Sequence, residues 1–172
     1  NISNIQSNIT YYVVYLPQQA HFLTRHYLQN LYDDFYSFKD EKDMEAKVGT
    51  VITNATNLGV GYEGFTLLQY DDATVAADGS TVVELYFDRD YHLMNFQLDG
   101  GYGVEPIYGR YGTEFRVAEP TKAGYEFKEW SVIPDSSRTE EQNEQAEAIA
   151  AALANGEAIT IPAFDIALML SE

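Results

Sequence analysis

The sequence contains no cysteine. This absence excludes disulfide bonds, cysteine-based zinc sites and thiol nucleophiles. Many small secreted domains depend on disulfides for their stability, and this chain is not one of them. Its 172 residues are enough for one domain or two small ones, and a hydrophobic content of 45% is sufficient to build a core.

Basic residues are also scarce, with 10 lysines and arginines against 27 aspartates and glutamates, which gives a formal net charge of −17. Such a charge repels phosphate backbones and anionic lipid surfaces, so we expect no nucleic-acid partner. Long apolar runs are missing, so we expect no membrane insertion. The polar opening segment 1–10 carries no visible signal peptide and predicts a flexible start in a fragment of a longer chain.

The usual signals of catalysis are missing as well. The glycine-rich segment 100–109 has no lysine and does not run into a helix, so it does not fit a phosphate-binding loop. No serine lies in a nucleophile-elbow motif. The sequence therefore predicts a protein that is not an enzyme and needs no cofactor.

Metal-ligand spacing is not found either. The three histidines have no metal-binding spacing, and the acidic pairs lack the pattern of a calcium loop, so solvated turns are the simpler interpretation. The residues concerned are His21, His26, His92, Asp33, Asp34, Asp71, Asp72, Asp88 and Asp90.

Aromatic residues, in contrast, are abundant, with 14 tyrosines and nine phenylalanines, which favour strands and large buried rings. Several of them lie in an internal repeat. Segments 47–65 and 110–128 align without a gap and share a basic residue followed by x-Gly-Thr, and then Gly-Tyr-Glu. Two related modules in tandem explain this pattern most simply.

Most of the chain has the residue pattern of strands. After the turn at Asp78-Gly79, residues 82, 84 and 86 alternate with 83, 85 and 87 on opposite faces of a strand. Segment 21–32 fits a helix or a strand, and 33–43 is an aromatic stretch that passes into a charged turn. The other predicted strands lie at 11–16, 50–55, 61–70, 91–98, 112–120, 124–132 and 158–170.

A single helix is predicted near 139–155. Thr139 and Gln142 form a capping box at its start, and Asn155-Gly156 ends it. An apolar stripe at helical spacing predicts its buried face, which consists of Ala146, Ile149, Ala150 and Leu153.

The second half of the sequence matches a known repeat. Residues 95–130 resemble the Listeria–Bacteroides repeat, also called the internalin B-repeat. The closing segment 161–168 is similar to the Pro-Ala-x-Asp strand that ends this repeat. The matching motifs are Asp99-Gly100-Gly101, Tyr111-Gly112-Thr113, Pro120 and Gly124-Tyr125-x-Phe127-x-x-Trp130.

The first half resembles the MucBP (mucin-binding protein) type of repeat, in segments 25–31, 47–52, 61–65 and 75–90. The two resemblances imply an extracellular location in a bacterial cell-surface or cell-wall protein. They also imply a predominantly β, α+β fold of two tandem β-grasp-like modules, at 11–91 and 92–172, after the segment 1–10. We expect a monomer within a longer multidomain chain.

The repeated Gly-Tyr-Glu phrase raises the question of whether its aromatics bind a ligand or fill a core. Tyr125, Phe127 and Trp130 follow Gly124 at a spacing close to that of a strand, and aromatics at strand spacing usually belong to a core. We therefore predict that these rings pack inside the second module.

One segment remains as a candidate binding site. Residues 31–38 mix aromatic and acidic residues at an expected hairpin tip, and such a patch suits a glycan or a protein. The interpretation that we favour is instead that these rings fill the first core. The candidate ligand-binding residues are Tyr32, Phe35, Tyr36 and Phe38.

The leading functional hypothesis is a non-catalytic adhesin or stalk repeat. The alternatives are a carbohydrate- or mucin-binding module, or an accessory domain of a secreted enzyme. Host glycans, mucin or a surface protein are the expected partners. A stalk spacer predicts a surface that is polar all round, whereas a binding module predicts exposed tyrosines that converge on one site.

Overall fold

The computed structural model describes residues 12–13, 15–16 and 18–170. The predicted flexible segment 1–10 lies outside the described residues. The strands and the helix follow one another as β1 (Gln19–Gln29), β2 (Tyr36–Lys47), β3 (Val51–Ile52), β4 (Phe65–Leu67), β5 (Ala73–Thr74), β6 (Val82–Arg89), β7 (Tyr91–Gln97), β8 (Ile107–Arg110), β9 (Glu114–Phe115), β10 (Trp130–Val132), α1 (Glu140–Ala154), β11 (Ile159–Thr160) and β12 (Ile166–Leu170).

Two four-stranded sheets have the same topology. The first has the order β2-β1-β6-β4, with β1 and β6 parallel, and its other neighbouring strands are antiparallel. The second has the order β8-β7-β12-β10, with β7 and β12 parallel in the same way. A two-stranded sheet accompanies each, β3 with β5 and β9 with β11. The two halves that share sequence motifs thus also share their strand connections.

The predicted fold class, α+β and predominantly β, is confirmed. Segment 21–32, which fitted either a helix or a strand, contributes to strand β1. Its residues alternate between buried and accessible positions, with Phe22, Thr24 and His26 buried. Alternation with a period of two is the pattern of a strand that has one face on a core.

Each four-stranded sheet covers its own hydrophobic core. The first core is built around Phe22, Ile52, Leu85 and Phe87, with Tyr62 and Tyr70 packed against it from the connections. The second contains the buried face of α1 together with residues of β7, β10 and β12, including Met94, Phe96, Trp130, Ile166 and Leu168. Only Asp90 separates β6 from β7, so the two sheets follow each other without a linker.

Helix α1 confirms the predicted helix and its caps. The Thr139 hydroxyl accepts from the Gln142 amide, and the Gln142 side chain accepts from the Thr139 amide. The buried residues Ala146, Ile149, Ala150 and Leu153 are the predicted apolar stripe. Local signals were sufficient here because a helix forms its backbone hydrogen bonds within one segment.

We expect Thr139→Ala to lower the free energy of unfolding by about 1 kcal/mol, because an N-cap hydroxyl satisfies a backbone donor that the helix leaves unpaired. Urea unfolding followed by circular dichroism measures the change. The matched control is Asn143→Ala, at an exposed position inside α1, where alanine is neutral or slightly stabilising. Equal stability of the two variants would contradict a role for the capping box.

Several predicted strands and turns were wrong. The described residues of 11–16 are exposed and form no strand, and 33–43 is no charged turn because β2 runs through Tyr36–Lys47. Segment 124–132 forms a strand only at Trp130–Val132. The predicted last strand is divided into β11 and β12, with Pro162 between them, because proline has no amide hydrogen for a ladder. Segments 50–55, 61–70 and 112–120 also form shorter strands than expected, namely β3, β4 and β9.

Candidate functional site

An aromatic row crosses the outer face of the first sheet. Alternation along β6 sends Val83, Leu85 and Phe87 into the core and leaves Tyr86 on the opposite face. The register places Tyr27 of β1 beside Tyr86, and Phe38 of β2 beside Tyr27. The three side chains therefore meet across three neighbouring strands.

The rings of this row contact one another directly. Tyr27 and Tyr86 are stacked, with ring centroids 4.9 Å apart and planes 13° apart. Phe38 meets Tyr27 edge to face at 5.9 Å, and Tyr36 meets Tyr86 in the same way at 5.2 Å. We call Phe38, Tyr27, Tyr86 and Tyr36 the aromatic row. Such contacts fix ring orientation and give a preformed apolar surface.

Carboxylates hold the phenols of the row. Glu84 accepts hydrogen bonds from Tyr27 and Tyr86, each at 3.3 Å, and Asp88 accepts a short hydrogen bond from Tyr36. The bond to Asp88 raises the pKa of Tyr36 to about 12. Burial, followed by the charge of Glu84, raises the pKa of Tyr86. Both phenols therefore stay neutral at physiological pH, and acidic groups border the row.

The loop between β1 and β2, residues 30–35, presents two further rings. Its hydrogen bonds close it tightly: the Asn30 amide donates to the Phe35 carbonyl at 2.8 Å, and Asp33 accepts from the Asn30 side chain and the Phe35 amide, both at 2.8 Å. Tyr32 and Phe35 are 84% and 76% exposed on this loop. The loop therefore carries two large rings into solvent on an ordered backbone.

The four predicted binding residues thus have two kinds of position. Tyr36 and Phe38 belong to the aromatic row, whereas Tyr32 and Phe35 lie on the loop. The favoured interpretation, that these rings fill the first core, was wrong, since Phe38 is 57% exposed and only Tyr36 is half-buried.

Sequence reasoning missed Tyr27 and Tyr86, which join Tyr36 to Phe38. The sequence did indicate the face on which Tyr86 lies, because alternation along β6 places Tyr86 on the same face as Glu84. Tyr27 was hidden because segment 21–32 also fitted a helix.

An arginine of the second sheet holds the loop. Arg110, at the end of β8, forms an ion pair with the Asp34 carboxylate and donates to the Asp33 carbonyl at 2.6 Å. The hydrogen bond that Arg110 donates to the Asp34 carboxylate raises the pKa of Arg110, so this side chain stays charged. Planar guanidinium groups suit such a double contact. The position of the loop therefore depends on both halves of the chain.

Further contacts fasten the junction between the sheets. Arg89 donates to the Tyr111 carbonyl at 2.9 Å, and its guanidinium lies 4.6 Å from the centre of the Phe65 ring. The Asp90 amide donates to the Gly64 carbonyl at 2.9 Å, and the Tyr111 amide donates to the Asp90 carbonyl at 2.7 Å. The short connection is thus bonded on both sides, which favours a stiff join.

The aromatics of the Gly-Tyr-Glu phrase are divided between core and surface. Trp130 is buried and contacts Phe96 and Phe127, with ring centroids 5.2 and 5.3 Å apart. The core prediction is therefore confirmed for Trp130 and for the half-buried Phe127. It was wrong for Tyr125, which is exposed, with the Lys122 ammonium 4.7 Å from its ring centre.

A polar network is centred on the buried His26 of the first sheet. His26 Nε2 lies 2.8 Å from the Thr24 hydroxyl, and its Nδ1 lies 2.7 Å from both the Asp40 carboxylate and the Tyr62 hydroxyl. These distances match those of a hydroxyl–imidazole–carboxylate catalytic triad. Thr24 and His26 are fully buried, however, so no substrate reaches the hydroxyl in this conformation. We therefore expect the arrangement to stabilise the fold.

The surface acids among the described residues do not form a metal site. In the part of the chain that the structure describes, no group of three or more histidine, aspartate or glutamate side chains is placed to hold a metal ion.

Within residues 12–13, 15–16 and 18–170, no helix is both long and apolar enough to cross a membrane.

No protein-family model matches the sequence, and no curated protein is significantly similar to it. The resemblance to the Listeria–Bacteroides and MucBP repeats therefore rests on the spaced motifs alone and remains a prediction.

Proposed function

We propose that this chain is a non-catalytic recognition segment of a bacterial cell-surface protein and binds glycans through the aromatic row. The observation that carries the proposal is the stacked pair Tyr27–Tyr86, which is extended by Phe38 and Tyr36 on a sheet face that no helix of the described residues covers. A spacer has no need of such a surface, whereas the apolar faces of sugar rings pack well on flat aromatic groups.

The polar surroundings of the row suit hydroxyl-rich ligands. Glu84 and Asp88 each accept hydrogen bonds from phenols of the row and have further lone pairs for sugar hydroxyls. A binding site that combines a few polar groups with an apolar floor is the usual arrangement for small ligands. The aromatic row supplies the contact area and the carboxylates supply orientation.

The charge of the site favours neutral glycans. Glu84 and Asp88 border the row, Asp33 and Asp34 lie on the adjoining loop, and the whole chain carries a formal charge of −17. This field repels sialylated and sulfated sugars, and the repulsion weakens as salt screens it. We therefore expect neutral oligosaccharides to bind more tightly than acidic ones of equal size.

The test is a binding screen with neutral and acidic oligosaccharides released from mucin. We expect the double variant Tyr36→Ala/Phe38→Ala to weaken binding of the neutral fraction at least tenfold, because it removes both ends of the row. The matched control is Tyr102→Ala/Tyr125→Ala, which removes two exposed tyrosines elsewhere. Circular dichroism confirms that both variants are folded. No binding to either fraction, or equal loss in the two variants, would refute the proposal.

A stalk repeat is the second candidate, and the junction favours it. Arg89, Tyr111 and Gly64 bond the two halves across a single connecting residue, which would keep a stalk extended and stiff. NMR relaxation distinguishes this candidate: a stiff stalk requires one common rotational correlation time for both halves. Different correlation times would exclude it.

A further inference from the structure

A second aromatic pair lies on the outer face of the second sheet. Tyr91 of β7 and Tyr108 of β8 are stacked, with ring centroids 5.3 Å apart and planes 28° apart. They are 48% and 70% exposed. Their neighbours on the core side of β7, Met94 and Phe96, are buried against the second core. The pair therefore contributes little to that core and exposes aromatic surface to solvent.

This pair is connected to the aromatic row through Arg110. The register places Arg110 opposite Tyr91, and its guanidinium lies 5.8 Å from the centre of the Tyr91 ring. The same guanidinium holds Asp33 and Asp34 of the loop that carries Tyr32 and Phe35. One largely buried side chain thus links the second pair to the loop of the first half.

The loop in turn connects to the row. Tyr36 directly follows the loop, and its hydroxyl bonds to Asp88 near the end of β6. Asp34, the ion-pair partner of Arg110, is separated from Tyr36 by Phe35 alone. The loop and Arg110 therefore connect the aromatic row to the Tyr91–Tyr108 pair across the junction.

We propose that Tyr91 and Tyr108 form a second subsite of one recognition surface, which accepts an extended neutral oligosaccharide lying across both halves of the chain. This inference rests on the proposed glycan binding. It deepens that proposal by naming the length of the ligand and the residues that contact its additional sugar rings. Arg110 acts as a positioning residue, because it orients the loop between the two subsites and contacts the second one.

The charges around the junction agree with this ligand class. Arg110 is already paired with Asp34, so it provides no free cation for an acidic sugar. Asp88 and Asp33 accept hydrogen bonds from protein donors and retain lone pairs that suit further sugar hydroxyls. An oligosaccharide gains from each additional ring it stacks, so its affinity should rise with length until both subsites are filled.

The test uses neutral mucin oligosaccharides separated by length, from disaccharides to hexasaccharides, and measures their affinity by calorimetry. The variants are Tyr108→Ala, Tyr108→Phe and the control Tyr102→Ala, an exposed tyrosine of the β7–β8 loop. We expect the wild type to bind hexasaccharides at least about tenfold more tightly than disaccharides. Tyr108→Ala should bind hexasaccharides roughly fivefold more weakly than the wild type and bind disaccharides with unchanged affinity. Tyr108→Phe should retain the wild-type affinity for hexasaccharides because it keeps the stacked ring.

A second variant tests the role of Arg110 by removing its exposed ion-pair partner instead of the largely buried arginine itself. Asp34 is exposed, so Asp34→Ala removes the ion pair and should leave the fold intact. We expect the amides of Asn30 and Phe35 to exchange hydrogen roughly fivefold faster in this variant, and the gain with ligand length to shrink.

The outcomes separate the inference from the proposed function. If disaccharides and hexasaccharides bind the wild type equally, or if Tyr108→Ala weakens all lengths alike, the second subsite does not exist although glycan binding stands. Unchanged amide exchange in Asp34→Ala would remove the positioning role of Arg110. If no neutral fraction binds the wild type at all, the proposed function fails and the inference fails with it.

Discussion

Replacing Gly64 by alanine is expected to lower the free energy of unfolding by about 2–4 kcal/mol. Gly64 has a φ of +74°, a conformation that costs a residue with a side chain about 1 kcal/mol. A Cβ at this position would lie 2.2 Å from Cδ1 of the Tyr111 ring, so the ring would have to move. Overpacking of this kind typically costs a further 1–3 kcal/mol.

The Tyr111 ring has little room to retreat. It meets Phe65 edge to face at 6.0 Å, and the Tyr111 carbonyl is held by Arg89 at 2.9 Å. The new methyl group would therefore act on the whole junction. We expect it to loosen the bonds that Arg89 and Asp90 make across the two halves.

The control for this prediction is Gly61→Ala. Gly61 has an ordinary backbone conformation, and a Cβ there meets no atom within 4 Å, so its effect should stay within about 0.5 kcal/mol. A Tyr111→Ala background should remove the clash and leave only the cost of the positive φ. Urea unfolding of Gly64→Ala, Gly61→Ala, Tyr111→Ala and the double variant Gly64→Ala/Tyr111→Ala measures these differences in the free energy of unfolding. If Gly64→Ala were as stable as Gly61→Ala, the tight contact at the junction would not exist.

The sequence was informative wherever structure depends on near neighbours. Helix α1 was predicted with its cap and its buried residues because capping and the 3.6-residue period act within one segment. Strand β6 was predicted with its two faces because alternation and the turn at Asp78-Gly79 are equally local. The turn at Asp99-Gly100 belongs to the same class, since both residues adopt positive φ.

Predictions failed where partners come from distant parts of the chain. Strand β2 is rich in charge and looked like a turn, yet it pairs along its length with β1. As an edge strand with solvent on most sides it needs no apolar pattern, and its charges protect the edge from other chains. The same cause hid the aromatic row, because Tyr27 and Tyr86 lie far apart in sequence and meet only through the parallel register of β1 and β6.

The two halves use one topology in different ways. In the second half α1 is inserted between β10 and β11 and closes the core. The corresponding connection between β4 and β5 is short, and side chains from irregular segments, such as Leu58 and Val75, close the first core instead. The same strand topology thus allows two ways of closing the core beneath a sheet. The outer faces of both sheets carry aromatic pairs. This shared feature is what makes a common recognition surface reasonable.

Replacing His26 by alanine is expected to lower the free energy of unfolding by about 3 kcal/mol. The change leaves a cavity beneath the sheet and removes a partner of the Asp40–Tyr62 pair. It also leaves the buried Thr24 hydroxyl with only its longer hydrogen bond to the Lys42 carbonyl, at 3.4 Å. The matched control is His21→Ala on the same strand. His21 is exposed and pairs with Asp43 at 2.9 Å, so its loss should cost less than about 0.5 kcal/mol.

The same network predicts a dependence on pH that follows Asp40. The Tyr62 hydroxyl, followed by His26, holds the pKa of the Asp40 carboxyl below its usual value of 3.8. A depressed pKa means that the contribution of Asp40 to stability is complete above the unfolded-state pKa and is lost as pH falls through the folded-state value. Urea midpoints measured from neutral pH to below pH 4 should therefore fall more steeply for the wild type than for Asp40→Asn, which has no proton to gain. Parallel curves for the two proteins would show that the carboxylate does not stabilise the network. The loss in His26→Ala would then come from packing and from the Thr24 hydroxyl.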